Sequence, residues 1–112
     1  DRLEAVAQNI GLDVIIEIHN KEELERAVNM QSKLIGINNR NLNNFETRIE
    51  TTIELCNHIS GLDKIFISES GFQNHSNVSK IISTTGINNF LIGEYLMKST
   101  QLETDIANIL SQ

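Results

Sequence analysis

Cysteine is almost missing from this chain: one residue, Cys56, in 112. An internal disulfide framework is therefore excluded, and a reducing compartment, by default the cytoplasm, is the expected location. Basic residues are scarce too, with 9 Lys and Arg against 15 Asp and Glu, for a formal charge of −6 and a pI near 4.9. No basic run exists to neutralise a phosphate backbone, so neither nucleic acid nor an anionic membrane is expected as a partner. No apolar stretch is long enough to span a bilayer. The start, Asp1-Arg2-Leu3-Glu4-Ala5, has neither a basic leader nor a signal-type apolar core. His19, His58, His75 and Cys56 lack metal-ligand spacing, so no metal is expected, and no Ser-His-Asp arrangement suggests itself. Short repeats and low-complexity tracts are also lacking. What remains is a chain of 39% hydrophobic residues and mean hydropathy −0.20, the composition of an ordinary soluble core in one domain at most.

Hydrophobic period then divides the chain. Asp1 to Ile10 places Leu3, Val6, Ala7 and Ile10 at helical spacing, with Gly11 to end the helix. The chain thus opens inside a helix, an odd place for a complete domain to begin. Asp13 to His19 alternates as a strand, with Val14, Ile16 and Ile18 opposite Ile15, Glu17 and His19. Asn20 as N-cap with Glu23 starts the next helix, whose stripe is Leu24, Ala27, Val28 and Met30. Lys33 to Asn38 is a second strand with Gly36 and Asn38 on one face, followed by the polar loop 39–44. A helix from Ile49 to Ile59 comes next, closed by Gly61.

The third strand, Lys64 to Gly71, ends in Ser68-Glu69-Ser70-Gly71, and Glu69 alternates with Ile65 and Ile67. After a polar loop from Phe72 to Asn77, a helix carries Val78, Ile81 and Ile82 and stops near Gly86. The fourth strand, Asn89 to Glu94, also ends in glycine and runs into a short helix, Glu94 to Met97. A last helix has Thr100 as N-cap, Glu103 at the capping-box position, and Leu102, Ile106, Ile109 and Leu110 as its buried stripe.

Four strands alternating with helices make an α/β fold with a parallel sheet and right-handed crossovers. Two architectures suit it: half of a (β/α)8 barrel, or a flavodoxin-like open sheet. Both bind ligands at the carboxyl ends of the strands. Two adjacent parallel strands that each end in glycine set backbone N–H groups side by side, which makes Ser70, Gly71, Gly93 and Glu94 a candidate phosphate cradle without lysine or arginine. Glu94 could act there only through its amide. Glu17 and Glu69 would be like-charge neighbours, so one of them should have a raised pKa.

Four segments in this order, Ile16-Glu17-Ile18-His19, Gly36-Ile37-Asn38-Asn39-Arg40-Asn41-Leu42, Ser68-Glu69-Ser70-Gly71 and Phe90-Leu91-Ile92-Gly93-Glu94 with Leu96-Met97, closely resemble the C-terminal half of indole-3-glycerol phosphate synthase. The likeness covers essentially the whole chain. It implies a (β/α)8-barrel carboxy-lyase of tryptophan biosynthesis, which closes 1-(2-carboxyphenylamino)-1-deoxyribulose 5-phosphate into indole-3-glycerol phosphate with loss of CO₂ and water, using no cofactor or metal. By the same resemblance residues 1–112 form a single segment, strands five to eight of the parent, and the family's two lysines and one further glutamate lie in an N-terminal half not included here. The chain alone is then expected to be inactive. The resemblance makes Glu17 a catalytic acid–base group and Asn38 a second catalytic residue that holds a substrate hydroxyl. It gives Arg40 to the anthranilate carboxylate, Leu42 and Leu91 to the apolar walls, and Glu69 to the ring nitrogen or a lysine of the other half. Tyr95 departs from the small serine common in the family. The expected partners are a sugar-phosphate substrate, the absent N-terminal half and, through open sheet edges, a second copy of the chain.

Overall fold

A computed structural model describes residues 2–41, 44, 46–59 and 61–110, apart from the side chains of Glu94 and Tyr95. Helices and strands alternate as α1 (Arg2–Asn9), β1 (Ile15–Ile18), α2 (Lys21–Ala27), β2 (Leu34–Asn38), α3 (Glu50–Leu55), β3 (Ile65–Glu69), α4 (His75–Thr85), β4 (Phe90–Leu91), α5 (Glu94–Met97) and α6 (Leu102–Leu110), with a 3-10 turn at Cys56–His58. All strand pairs are parallel and their order is β1-β2-β3-β4. A flavodoxin-like sheet reverses its strand order at a switch point. The strictly sequential order replaces that alternative with the arrangement of half a (β/α)8 barrel. No helix among the described residues is long and apolar enough to cross a membrane.

Pairing register sorts the strand residues into two faces. Ile16, Ile35 and Phe66 are level with one another, as are Ile18, Ile37, Ser68 and Phe90. This face meets Leu24 and Ala27 of α2, Leu55 of α3, and Val78 and Ile81 of α4 to form the core. The opposite face carries Ile15, Glu17, Leu34, Gly36, Asn38, Ile65, Ile67, Glu69 and Leu91. Ile15, Ile65 and Leu91 lie exposed there, although each alternates correctly for a strand. A parallel sheet is ordinarily covered on both faces; this one is covered on one.

The helix ends follow local chemistry. Asn20 Oδ1 accepts the Glu23 N–H at 2.9 Å, and Glu23 Oε1 reaches back to the His19 N–H at 2.7 Å. This is the anticipated capping box, with its return bond one residue earlier. α4 begins within the stretch read as loop: Asn74 caps Asn77 N–H at 3.0 Å, and Asn77 Oδ1 accepts from Gln73 N–H at 3.1 Å. Gly86 closes that helix at φ +79, where a Cβ would be strained. α6 corrects the sequence reading. It begins at Leu102, after Gln101 rather than Thr100, and Ser99 Oγ accepts the Gln101 N–H at 3.0 Å. Only Ile109 of the four residues of its stripe is buried; Leu102, Ile106 and Leu110 are exposed, with nothing among the described residues covering them. α1 behaves alike. Its buried residue is Glu4, whose carboxylate takes the Gln31 and Ser32 N–H groups at 3.0 and 2.7 Å, while Leu3, Val6 and Ile10 stay exposed.

Candidate functional site

Acid, amide and glycine corner meet at the carboxyl ends of successive strands, on the open face. Glu17 is the penultimate residue of β1, and its Oε1 accepts from Asn38 Nδ2 at 3.2 Å. Asn38 ends β2, and its Oδ1 accepts the Arg40 N–H at 2.9 Å. Its amide is thus held from both ends. Register puts Asn38 beside Glu69, and Glu69 beside Leu91. Arg40 follows, in an isolated antiparallel bridge with Thr47. A polar cleft opens next to these residues, lined by His19, Asn38, Arg40, Asn41, Arg48 and Thr51 among others.

Glu69 is the least ordinary group of the set. It is 4% exposed, and its Oε2 has no hydrogen-bond partner among the described residues. The carboxyl lies over Gly36, so close that a Cβ at Gly36 would stand 2.2 Å from Oε2. Burial pushes its pKa up to about 7; repulsion from the Glu17 carboxylate adds to the rise and His19 partly offsets it. The raised carboxylate pKa expected on this face is found at Glu69. Near neutral pH such a group exists in both protonation states and can give or take a proton.

The glycine corners divide unequally. Ser70 stands at φ +73 and Gly71 at φ +86. Ser70 N–H extends the ladder to Leu91 O at 3.3 Å. That removes this N–H from the cradle expected from sequence and leaves the Ser70 hydroxyl. Gly71 N–H has no partner among the described residues, and a Cβ on Gly71 would meet Ile49 and Thr47 only at ordinary contact distance, 3.5 Å, so it is the positive φ that calls for glycine. At Gly93 neither backbone conformation nor packing against the described residues demands glycine, since none of them stands within 4 Å of an added Cβ. Gly93 O accepts the Met97 N–H at 2.8 Å, and Glu94 opens α5. The strand register and the Ser70–Leu91 bond bring Glu17, Asn38, Arg40, Glu69, Ser70, Gly71, Leu91, Gly93 and Glu94 to one rim. Leu42 lies outside the described residues. Among the described residues no group of three His, Cys, Asp or Glu is placed to hold a metal.

Three residues escaped the sequence reading. Asn39, Thr52 and Ser68 are 2%, 0% and 0% exposed and hydrogen-bonded to one another beneath this rim. The signal was present: Asn39 alternates with Ile35 and Ile37, and Ser68 with Phe66, so both are polar residues at core-facing positions.

Comparison with known proteins adds an independent finding. The family described as indole-3-glycerol phosphate synthase matches residues 1–109. "Indole-3-glycerol phosphate synthase 2" of Ralstonia nicotianae is 47% identical over 102 residues, covering 91% of this chain and 37% of that protein. The Burkholderia cenocepacia and Burkholderia lata proteins named "Indole-3-glycerol phosphate synthase" are each 38% identical over 107 residues, covering 96% of this chain and 40% of theirs. The chain spans about two fifths of the length of the curated relatives it matches.

Proposed function

The chain belongs to the indole-3-glycerol phosphate synthase family, and from that premise we propose that it supplies one half of the catalytic rim of a (β/α)8 barrel, strands five to eight. The reaction is ring closure of 1-(2-carboxyphenylamino)-1-deoxyribulose 5-phosphate, with release of CO₂ and water. Glu17 moves a proton during closure or dehydration, and Asn38 holds a substrate hydroxyl while fixing the Glu17 carboxylate. Arg40 meets the carboxylate that is lost, with Leu42 and Leu91 against the aromatic ring. Glu69 faces the ring nitrogen or a cation contributed by the other half. The Ser70 hydroxyl and the N–H groups of Gly71, Gly93 and Glu94 receive the phosphate. The chain alone binds weakly through this cradle and turns nothing over. A half-buried single cysteine and an acidic surface suit the cytoplasm.

The observation that carries this reading is the 3.2 Å bond from Asn38 to Glu17, with Glu69 one strand away on the same uncovered face. An acid so placed has solvent before it and a fixing amide behind it. Gly93 adds support, because its missing side chain answers to nothing among the described residues and leaves room for an anion to approach the backbone. The experiment is complementation: this chain is mixed with a separately produced N-terminal half from a relative, and indole-glycerol phosphate fluorescence is followed. Turnover should return, and Glu17→Gln should lower it by roughly 10²–10⁴-fold, the range for loss of an acid–base group. An active pair indifferent to Glu17→Gln would remove the role given to that residue.

A further inference from the structure

The uncovered rim hides a second, buried arrangement, and it determines how the rim presents the Gly71 N–H. Asn39 Nδ2 donates to Ser68 Oγ at 3.0 Å and to Ser70 O at 3.1 Å. Asn39 Oδ1 accepts from Thr52 Oγ1 at 2.9 Å and from Thr52 N–H at 3.2 Å. Thr52 Oγ1 and Ser68 Oγ are 2.6 Å apart. An amide nitrogen only donates and an amide oxygen only accepts. The hydroxyl hydrogens are therefore ordered: Asn39 to Ser68, Ser68 to Thr52, Thr52 back to Asn39. The opposite orientation of the Asn39 amide would set oxygen against the Ser70 carbonyl and nitrogen against the Thr52 N–H. The result is a closed ring in which each bond polarises the next, with all four amide positions of Asn39 filled.

We propose that Asn39, Thr52 and Ser68 form a positioning ring that aims the Gly71 N–H at a bound phosphate. This rests on the cradle proposed above and extends it to residues that never touch the ligand. The step from ring to ligand is peptide geometry. The Ser70–Gly71 bond is trans, so its C=O and N–H point in opposite directions. With the Ser70 carbonyl fixed on the buried Asn39 amide, the Gly71 N–H must point away from the interior. Ser70 stands at φ +73, which a residue with a side chain adopts only where its surroundings hold it. Its holders are Asn39 on the carbonyl side and Leu91 O on the amide side. The ring joins the end of β2, helix α3 and the end of β3, so it also fixes the height of the Ser70–Gly71 corner against the sheet.

Two measurements on the 112-residue chain, with inorganic phosphate as the probe, test this. The first is amide hydrogen exchange without phosphate. Gly71 should exchange freely while the Ser70 and Asn39 N–H groups are protected, and a protected Gly71 would overturn the orientation whatever any variant does. The second is a phosphate titration followed by amide nitrogen shifts. Gly71 should respond in the wild-type chain. In Asn39→Asp, which keeps the acceptor toward Thr52 but loses both donors, that response should vanish and binding should weaken roughly ten- to a hundredfold, the worth of one hydrogen bond to a charged group. A folded Asn39→Asp that binds phosphate like the wild type, with Gly71 still responding, would sink the proposal. A wild-type chain that ignores phosphate would instead defeat the cradle, and the ring's function with it, while exchange at Gly71 still reports its geometry.

Discussion

Glu69 makes the chain's stability depend on pH with an unusual sign. Its pKa in the folded state is raised from an ordinary 4.5 to about 7, so between those values the folded chain holds a proton that the unfolded chain has lost. Stability should therefore fall as pH rises from about 4.5 to about 7. Urea melts at the two ends of that window should show it, and Glu69→Gln should flatten the slope. A wild-type slope of the opposite sign would mean that the carboxyl is not buried as described. Gly36→Ala is the companion test at the neighbouring strand: the new methyl must displace Glu69 Oε2, so the side chain should swing outward and its pKa drop toward the ordinary value, readable in a carbon-13 titration of the carboxyl. Much of this was legible in sequence. Alternation along Ile65, Ile67 and Glu69 put the acid on the same face as Glu17, and in the structure one strand, β2, lies between them. Alternation is silent about depth, however. Nothing in the string of letters indicates that the missing side chain of Gly36 makes the space that Glu69 fills.

Helix termini in this chain are written largely in asparagine. Asn74 caps α4 while Asn77 returns the bond to Gln73 N–H, so Asn74→Ala should cost about 1 kcal/mol in a urea melt, a typical loss for a capping side chain. From sequence, 72–77 reads as loop because asparagine serves turns and caps equally well. Asn39 misled for the same reason, as a turn-former that proved to be the centre of a buried ring. At α1 a carboxylate does the holding. Burial pushes the Glu4 pKa up, but the Ser32 and Gln31 N–H bonds outweigh it, and the net shift is downward. The attachment is complete above the ordinary carboxylate range and is lost as pH falls through the lowered value. Glu4→Ala should free the helix, seen as faster exchange at Gln31 and Ser32 with the four-stranded sheet unaffected. The stripes of α1 and α6 had the right period, yet period predicts burial only where something lies opposite to bury it.

Taken whole, the molecule is larger than its mass requires. Its accessible surface is 7371 Å², against roughly 6,200 Å² expected for a closed monomer of this mass. Its radius of gyration is 14.8 Å, against roughly 13 Å. The excess belongs with the uncovered face, the edges of β1 and β4, and the stripes of α1 and α6. Self-association through the open edges is expected for that reason. Sedimentation at rising concentration should reveal it, and Ile15→Thr with Leu91→Ser, one exposed residue on each edge strand, should weaken it; a dilute, well-folded monomer at every concentration would refute it. Strand order, which the sequence left open between two architectures, has one further result. Ile15 finds Leu34, Leu34 finds Ile65, and Ser68 finds Phe90, so each ladder closes on the stretch of polypeptide made next. Such a sheet can assemble as the chain leaves the ribosome, one rung at a time, and no early segment waits on a distant late one.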